Sequence, residues 1–399
     1  LEARLVSGRS RLLVPYGMFA FTLGFSWFML APLVPTLVGQ LKVGLGAVIL
    51  FISFYGYAMI VGSLPAGWWV AYRGPRPVLI TAVFLSVLGL LLRAVSHSYA
   101  LFFVGQALAA LAYPLLISPI GSVLRMAGIT QRKMATGLTI GFLFLGMSFG
   151  AFLGGRLGTP AAFWTGWWLN LLVGIWLVAR VPKKFASGNN QKSFHIHLRP
   201  SVWWLVGFVV ASTSVMIGGI ATPVLGHMHV ASPAVLGGLL SGLTFLGSAV
   251  GAILFGALGE RGTQGIRLQR ILALCTWLSL LGVVLDFSGV VQIARGGLEV
   301  LFFLLGAFGN GWYSLALEES ARVAADAGSA GLNTAGFSMA SNIGVAVIPT
   351  YLGVMVLTHA GWWAVLTLIL GILGLWVPFS IKKTSSSNHH TFHTMRRSR

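Results

Sequence analysis

The sequence predicts an all-α membrane protein with twelve transmembrane helices in two pseudo-symmetric six-helix bundles. Three observations lead there. Hydrophobic residues make up 56% of the chain and charged ones only 8%, with a mean hydropathy of +0.87, whereas soluble domains carry roughly a quarter charged residues. The apolar residues come in runs long enough to cross a hydrocarbon core about 30 Å thick. The basic residues, which set a formal net charge of +19, gather in alternate connectors.

In the first half the apolar runs lie near 13–37, 46–71, 77–95, 99–124, 134–157 and 161–181. In the second half they lie near 201–225, 233–258, 268–288, 297–317, 331–357 and 361–381. The opening segment, LEARLVSGRSR, is a basic tail entering the first run. That run is too long for a signal-peptide core and shows no small-residue cleavage site, so it reads as a retained helix. The bundles are expected at 1–181 and 201–381, joined by a polar cytoplasmic linker at 182–200. Residues 382–399 have the composition of a disordered cytoplasmic tail. His195 and His197 in the linker, and His389 and His390 in the tail, read as parts of solvated segments rather than metal ligands.

With both termini placed in the cytoplasm, 22 of the 26 lysines and arginines fall on the inner side. Lys42, Arg93, Arg156 and Arg295 fall outside. This asymmetry is the positive-inside pattern of a multi-pass protein of the cell membrane. The charge therefore reports topology and contact with anionic lipid, not nucleic-acid binding. The single cysteine, Cys275, excludes an intramolecular disulfide framework. No phosphate-binding Gly-x4-Gly-Lys-Ser/Thr pattern, zinc-type histidine pair or Ser/His/Asp set is present, so neither an enzyme nor a bound cofactor or metal is expected.

The two halves echo each other. GWWVAYRGPR follows the second run from Gly67, and GALGERGTQGIR follows the eighth from Gly256. Ser26 stands opposite Ser214 at nearly the same offset, and the LFF triplet at 101–103 recurs at 301–303. Parallel repetition of six-helix units is a layout of carriers that rock around a midplane site. The fifth run contains GMSFGAFLGG, in which Gly146, Gly150 and Gly154 form a smooth stripe for close helix approach.

These segments resemble the major facilitator superfamily. Its signature after the second helix is Gly-x-Leu-x-Asp-Arg-x-Gly-Arg-Arg or close to it. Gly67, Gly74 and Arg76 fit, but Ala71 replaces the acid and Tyr72 the following base. In the second copy Gly256, Leu258, Glu260 and Arg261 fit. The resemblance implies an acid–base latch at the inner side, with its acid supplied by Glu260 or by the tenth run. The stripe at Gly146 resembles the family's fifth-helix exporter motif, with Ala151 in place of proline. In the fourth run Gln106 agrees with a family position, while Phe103 stands where many members carry arginine.

By the same resemblance the first, fourth, seventh and tenth helices line a central cavity. Their middles carry Ser26, Gln106, Tyr113, Thr213, Asn310, Trp312 and Tyr313, and the eleventh run adds Asn342. All are neutral, so either they meet a ligand or they bond helix to helix. No acid and no arginine is placed at the bilayer centre. Glu318 and Glu319 are expected at the inner end of the tenth run, and Glu318 becomes the coupling residue if that helix sits further in. A secondary transporter working by alternating access is expected, favouring efflux of hydrophobic or amphipathic compounds. Uptake of a small organic metabolite is the alternative, and a non-transporting membrane sensor on the same scaffold the second. The expected partners are a small-molecule substrate, a co- or counter-transported proton as an option, and the bilayer around a monomer.

Overall fold

The computed structural model describes residues 2–186, 203–211, 225, 233–260, 265–324 and 327–358. Thr213, Arg261, the twelfth run and the tail lie outside the described residues. The first half contains α1 (Glu2–Phe28), α2 (Val34–Leu41), α3 (Leu45–Arg73), α4 (Pro75–Val95), α5 (Tyr99–Ile117), α6 (Ile120–Met126), α7 (Arg132–Leu157) and α8 (Thr159–Arg180). The second contains α9 (203–211), α10 (Pro233–Glu260), α11 (Gly265–Phe287), α12 (Arg295–Arg322) and α13 (Ala327–Thr358). Among the described residues, nine helices are long and apolar enough to cross a membrane.

Proline explains where two expected runs divide. The first run stops at Phe28, passes through a turn at Ala31–Leu33 and resumes as α2. Pro32 cannot donate the amide that the Phe28 carbonyl would need to continue the helix. The fourth run divides at Ser118 and Pro119 into α5 and the short α6 for the same reason. The tenth departs in the other direction, since α12 runs five residues past Leu317, to Arg322. Glu318 and Glu319 therefore lie within the helix, not at its end.

Small residues let helices meet backbone to backbone. Gly146 and Gly150 of α7 press on the carbonyls of Phe21 and Phe25 of α1, and Gly154 on that of Met29 just past its end. Gly247 and Gly251 of α10 do the same against Phe303 and Ala307 of α12. The halves join along two seams, α7 on α10 and α3 on α13. Gly137 lies against the Ala252 carbonyl in one, and Gly67 against Ala335 and Leu332 in the other. The turn from α3 into α4 is made at Gly74, whose φ of 77° belongs to the left-handed region that favours glycine. We call the end that carries this turn, the start of α7 and the end of α12 the basic end.

Candidate functional site

Charged side chains from both halves meet at the basic end. Arg132 and Lys133 open α7, so they stand in its first turn. The Arg132 Nε lies 3.6 Å from Glu318 Oε1, and Lys133 Nζ lies 3.3 Å from Glu319 Oε1. Glu319 also holds Arg322 of its own helix, Nε to Oε2 at 2.6 Å. Glu260, the last residue of α10, accepts a hydrogen bond from the Lys133 backbone N–H. It thereby satisfies one of the amides that a helix start leaves without a partner. Arg125, from α6, donates through Nη2 to the carbonyls of Ala321, Arg322 and Ala324, at 3.4, 3.3 and 2.8 Å. A cation set against the closing carbonyls of α12 is favourable at that end of a helix. Glu318 is 3% exposed and Glu319 7%, which places two carboxylates in a site where each needs its cation.

The two copies of the Gly-framed loop differ here. The second contributes Glu260 directly, with Gly256 against the Lys133 carbonyl. The first contributes close approach instead, through Gly67 on α13, and its acid position is filled by a buried Ala71. Arg76 keeps a buried Nε with no hydrogen-bond partner among the described residues.

Above this cluster, aromatic side chains of both halves share one buried core. Trp27 of α1 stacks on Tyr55 of α3 at 4.5 Å with an interplanar angle of 9°. Its indole donates to the Ile52 carbonyl at 2.8 Å. Tyr113 of α5 lies 5.4 Å from Trp27 and 6.1 Å from Tyr55. Tyr113 and Tyr313 of α12 belong to the same buried core. Tyr313 packs on Phe337 of α13 at 5.0 Å, and its hydroxyl meets Ser341 Oγ at 3.4 Å. The Tyr55 hydroxyl, Trp312 Nε1 and Ser338 Oγ are buried and have no hydrogen-bond partner among the described residues.

Four of the neutral residues singled out in the sequence are used between or within helices. Asn310 donates to Ser248 Oγ on α10 at 2.7 Å, and Asn342 to the Ser338 carbonyl of its own helix at 2.9 Å. Ser26 accepts from Asn170 Nδ2 at 2.7 Å. Gln106 donates to the Phe51 carbonyl at 2.8 Å and accepts from Arg93 Nη1 at 3.1 Å.

Arg93, counted on the outer side in the sequence, lies at the end opposite the basic one, but buried: it is 1% exposed and enclosed by α1, α5 and α8. Its Nη1 also donates to the Ser26 carbonyl at 2.9 Å, its Nη2 approaches Met29 Sδ at 3.4 Å, and its guanidinium lies 5.0 Å from the Phe163 ring centroid. Proline-enforced termination of α1 explains the partner: the Leu30 amide bonds Trp27 instead of Ser26, which frees the Ser26 carbonyl for a cation. Asn170 of α8 extends the network to Ser86 of α4 and Thr22 of α1. Asn170 was absent from the sequence reading, and Arg93 entered it only as a charge on the outer side. The one available signal was a polar side chain inside or at the edge of a long apolar run.

Comparison with known proteins completes the picture. No curated protein sequence matches the chain. Among solved structures, the human organic anion transporter MFSD10 (TETRAN) superposes with a TM-score of 0.73 at 14% identity, covering 93% of this chain and 99% of that one. A bacterial homologue of the iron transporter ferroportin, in an outward-facing state, superposes with a TM-score of 0.72 at 15% identity, covering 94% and 99%. At such identities the likeness is one of fold. The sequence profile of the Major Facilitator Superfamily matches residues 17–349. The chain belongs to the major facilitator superfamily, a family of membrane transporters.

Proposed function

We propose that the protein is a secondary transporter working by alternating access, with the basic end in the cytoplasm. On this reading the two bundles, linked through 182–200, rock as rigid bodies about the seams α3–α13 and α7–α10. The ion pairs Arg132–Glu318 and Lys133–Glu319, the Glu260 bond to α7 and Arg125 on the end of α12 form the inner gate. Arg261 belongs to the same motif. These bonds all join one half to the other at one end, which is the observation that carries the reading: they must break for that end to open. The arrangement corresponds to a state closed to the cytoplasm.

The substrate path runs along the aromatic side chains of this core, with Tyr113, Trp312, Tyr313 and Asn342 as its lining in addition to Tyr55. Ser26, Gln106, Thr213 and Asn310 complete the set, the first two through their hold on the surrounding helices. The rings carry no formal charge, which suits uncharged or amphipathic compounds better than small inorganic anions, and efflux is the direction we favour. Glu318 is the coupling candidate, since protonation removes the charge that holds Arg132. The test is flux in proteoliposomes holding the purified protein, after a ligand screen by thermal shift at several pH values. Hits should exchange across the bilayer by counterflow, and Glu318→Gln should abolish any proton-driven component while sparing counterflow. Ligands that bind with no counterflow would establish the sensor instead.

A further inference from the structure

The groove at the basic end of α3 is independent of the substrate path and of the gate. Pro65, Trp68, Trp69, Tyr72 and Arg73 line an open cavity of ≈ 420 Å³ on the outer face of the helix. Trp68 and Tyr72, one turn apart, stack at 5.8 Å with an interplanar angle of 6°, and are 50% and 61% exposed. The Arg73 guanidinium lies 5.8 Å from the Tyr72 ring centroid. The opposite face of this segment is spent on α13, where Gly67 meets Ala335 and Val70 meets Gly331. The groove therefore looks away from the rest of the described residues.

Its charge balance sets it apart from the gate. Arg132, Lys133 and Arg322 each face a carboxylate, and Arg125 is spent on carbonyls at and just past the end of α12. Among the described residues no carboxylate lies within ion-pair distance of Arg73, and the motif position that would carry one is Ala71. Arg73 closes a membrane-spanning stretch, Leu50–Arg73, so its guanidinium sits at the depth of lipid headgroups. Aromatic rings with one polar edge are favoured at that depth, and a cation there attracts anionic lipid. Exposed Val61, a turn further in, continues the apolar wall toward the bilayer centre.

We propose that this groove is a binding site for one anionic glycerophospholipid, with Arg73 on its phosphate and the Trp68–Tyr72 face against its glycerol and upper acyl chains. The probe is phosphatidylglycerol in equimolar competition with phosphatidylcholine on the purified full-length protein in detergent, read by native mass spectrometry. Wild type should retain phosphatidylglycerol over phosphatidylcholine by about fivefold, the scale of one arginine near an anionic headgroup. R73Q should lose that preference, and the W68A/Y72A double variant should lose most retention of both lipids. R180Q, which removes an exposed arginine from the end of α8, should behave as wild type. Equal preference in R73Q and wild type overturns the site, and so does an equal loss in R180Q, which would indicate diffuse charge. Full displacement of the lipid by millimolar inorganic phosphate would show a simple anion site and overturn the lipid assignment. If R73Q is not recovered folded by thermal unfolding, the double variant against R180Q decides the matter by the same readout.

Discussion

Two buried charged regions sit at opposite ends of this molecule, and they are built on different rules. At one end Arg93 has no carboxylate partner among the described residues: its partners are a helix-end carbonyl, an amide oxygen, a thioether and an aromatic face, all within the first half. At the other end Glu318 and Glu319 have cations, and those come from the opposite half. A buried charge is tolerated only when its surroundings substitute for water. Where every substitute belongs to one bundle, the charge ties that bundle into a single body. Where the substitutes come from two bundles, their separation exposes both partners to water, and the contact becomes reversible. On the proposed reading, the same electrostatics serve rigidity in one place and switching in the other.

The comparison breaks most visibly at Arg93. Replacement by methionine keeps much of the volume but leaves the Ser26 carbonyl and Gln106 Oε1 buried and short of a donor. Each unsatisfied buried group costs about 1–3 kcal/mol, so R93M should lower the thermal unfolding temperature more than any gate variant. The balance between conformations should stay unchanged, because nothing removed spans the seam. A Thr334→Cys reporter in a Cys275→Ser background checks this, since Thr334 lies against Gly121 at the basic-end seam. If R93M alters thiol labelling of that reporter without lowering stability, Arg93 is part of the switch and the distinction fails.

Glu318→Gln should do the opposite. Arg132 is partly solvated, its side chain 30% exposed, so the pair contributes about 1 kcal/mol, near the upper end for accessible ion pairs. That is about fivefold in the ratio of closed to open states, seen as faster labelling of Thr334→Cys, with little change in unfolding temperature. Restoring labelling to the wild-type rate by a second change, Arg132→Gln, would show that the freed arginine rather than the lost pair caused the opening.

What the sequence could disclose follows from what each residue's neighbours in the chain can reveal. The apolar runs, the Gly146–Gly154 stripe and the proline-rich breaks are local features, and α3, α4, α7, α8 and α10 begin and end within a few residues of the expected bounds. Proline also explains the two places where one run became two helices, but the consequence for Ser26 needed the fold. Arg93 was illegible because an arginine near the end of an apolar run has the same local pattern whether it faces water or turns inward onto α1. Asn170 was hidden among tryptophans for a like reason. Glu318 and Glu319 were placed at a helix end because the apolar run stops at Leu317; α12 carries them further because Arg132 and Lys133 arrive from another element to pair with them.

The smallest expected effect falls on Glu260, and it separates hydrogen bonding from charge at the gate. Its carboxylate accepts from the Lys133 amide at the start of α7, where a negative charge also meets the positive end of the helix dipole. Glutamine at this position keeps an amide oxygen that can accept the same bond, so only the charge contribution is lost. For a surface-accessible helix start that contribution is about 0.3–1 kcal/mol at low ionic strength, or about two- to fivefold in the closed-to-open ratio. Raising salt screens such a term, so the Thr334→Cys labelling rates of E260Q and wild type should converge as ionic strength increases. Glu260→Ala removes the bond as well and should open the gate further at every salt concentration. Were E260Q and E260A to label alike, the acid would act through charge alone and the bond to α7 would carry none of the closure.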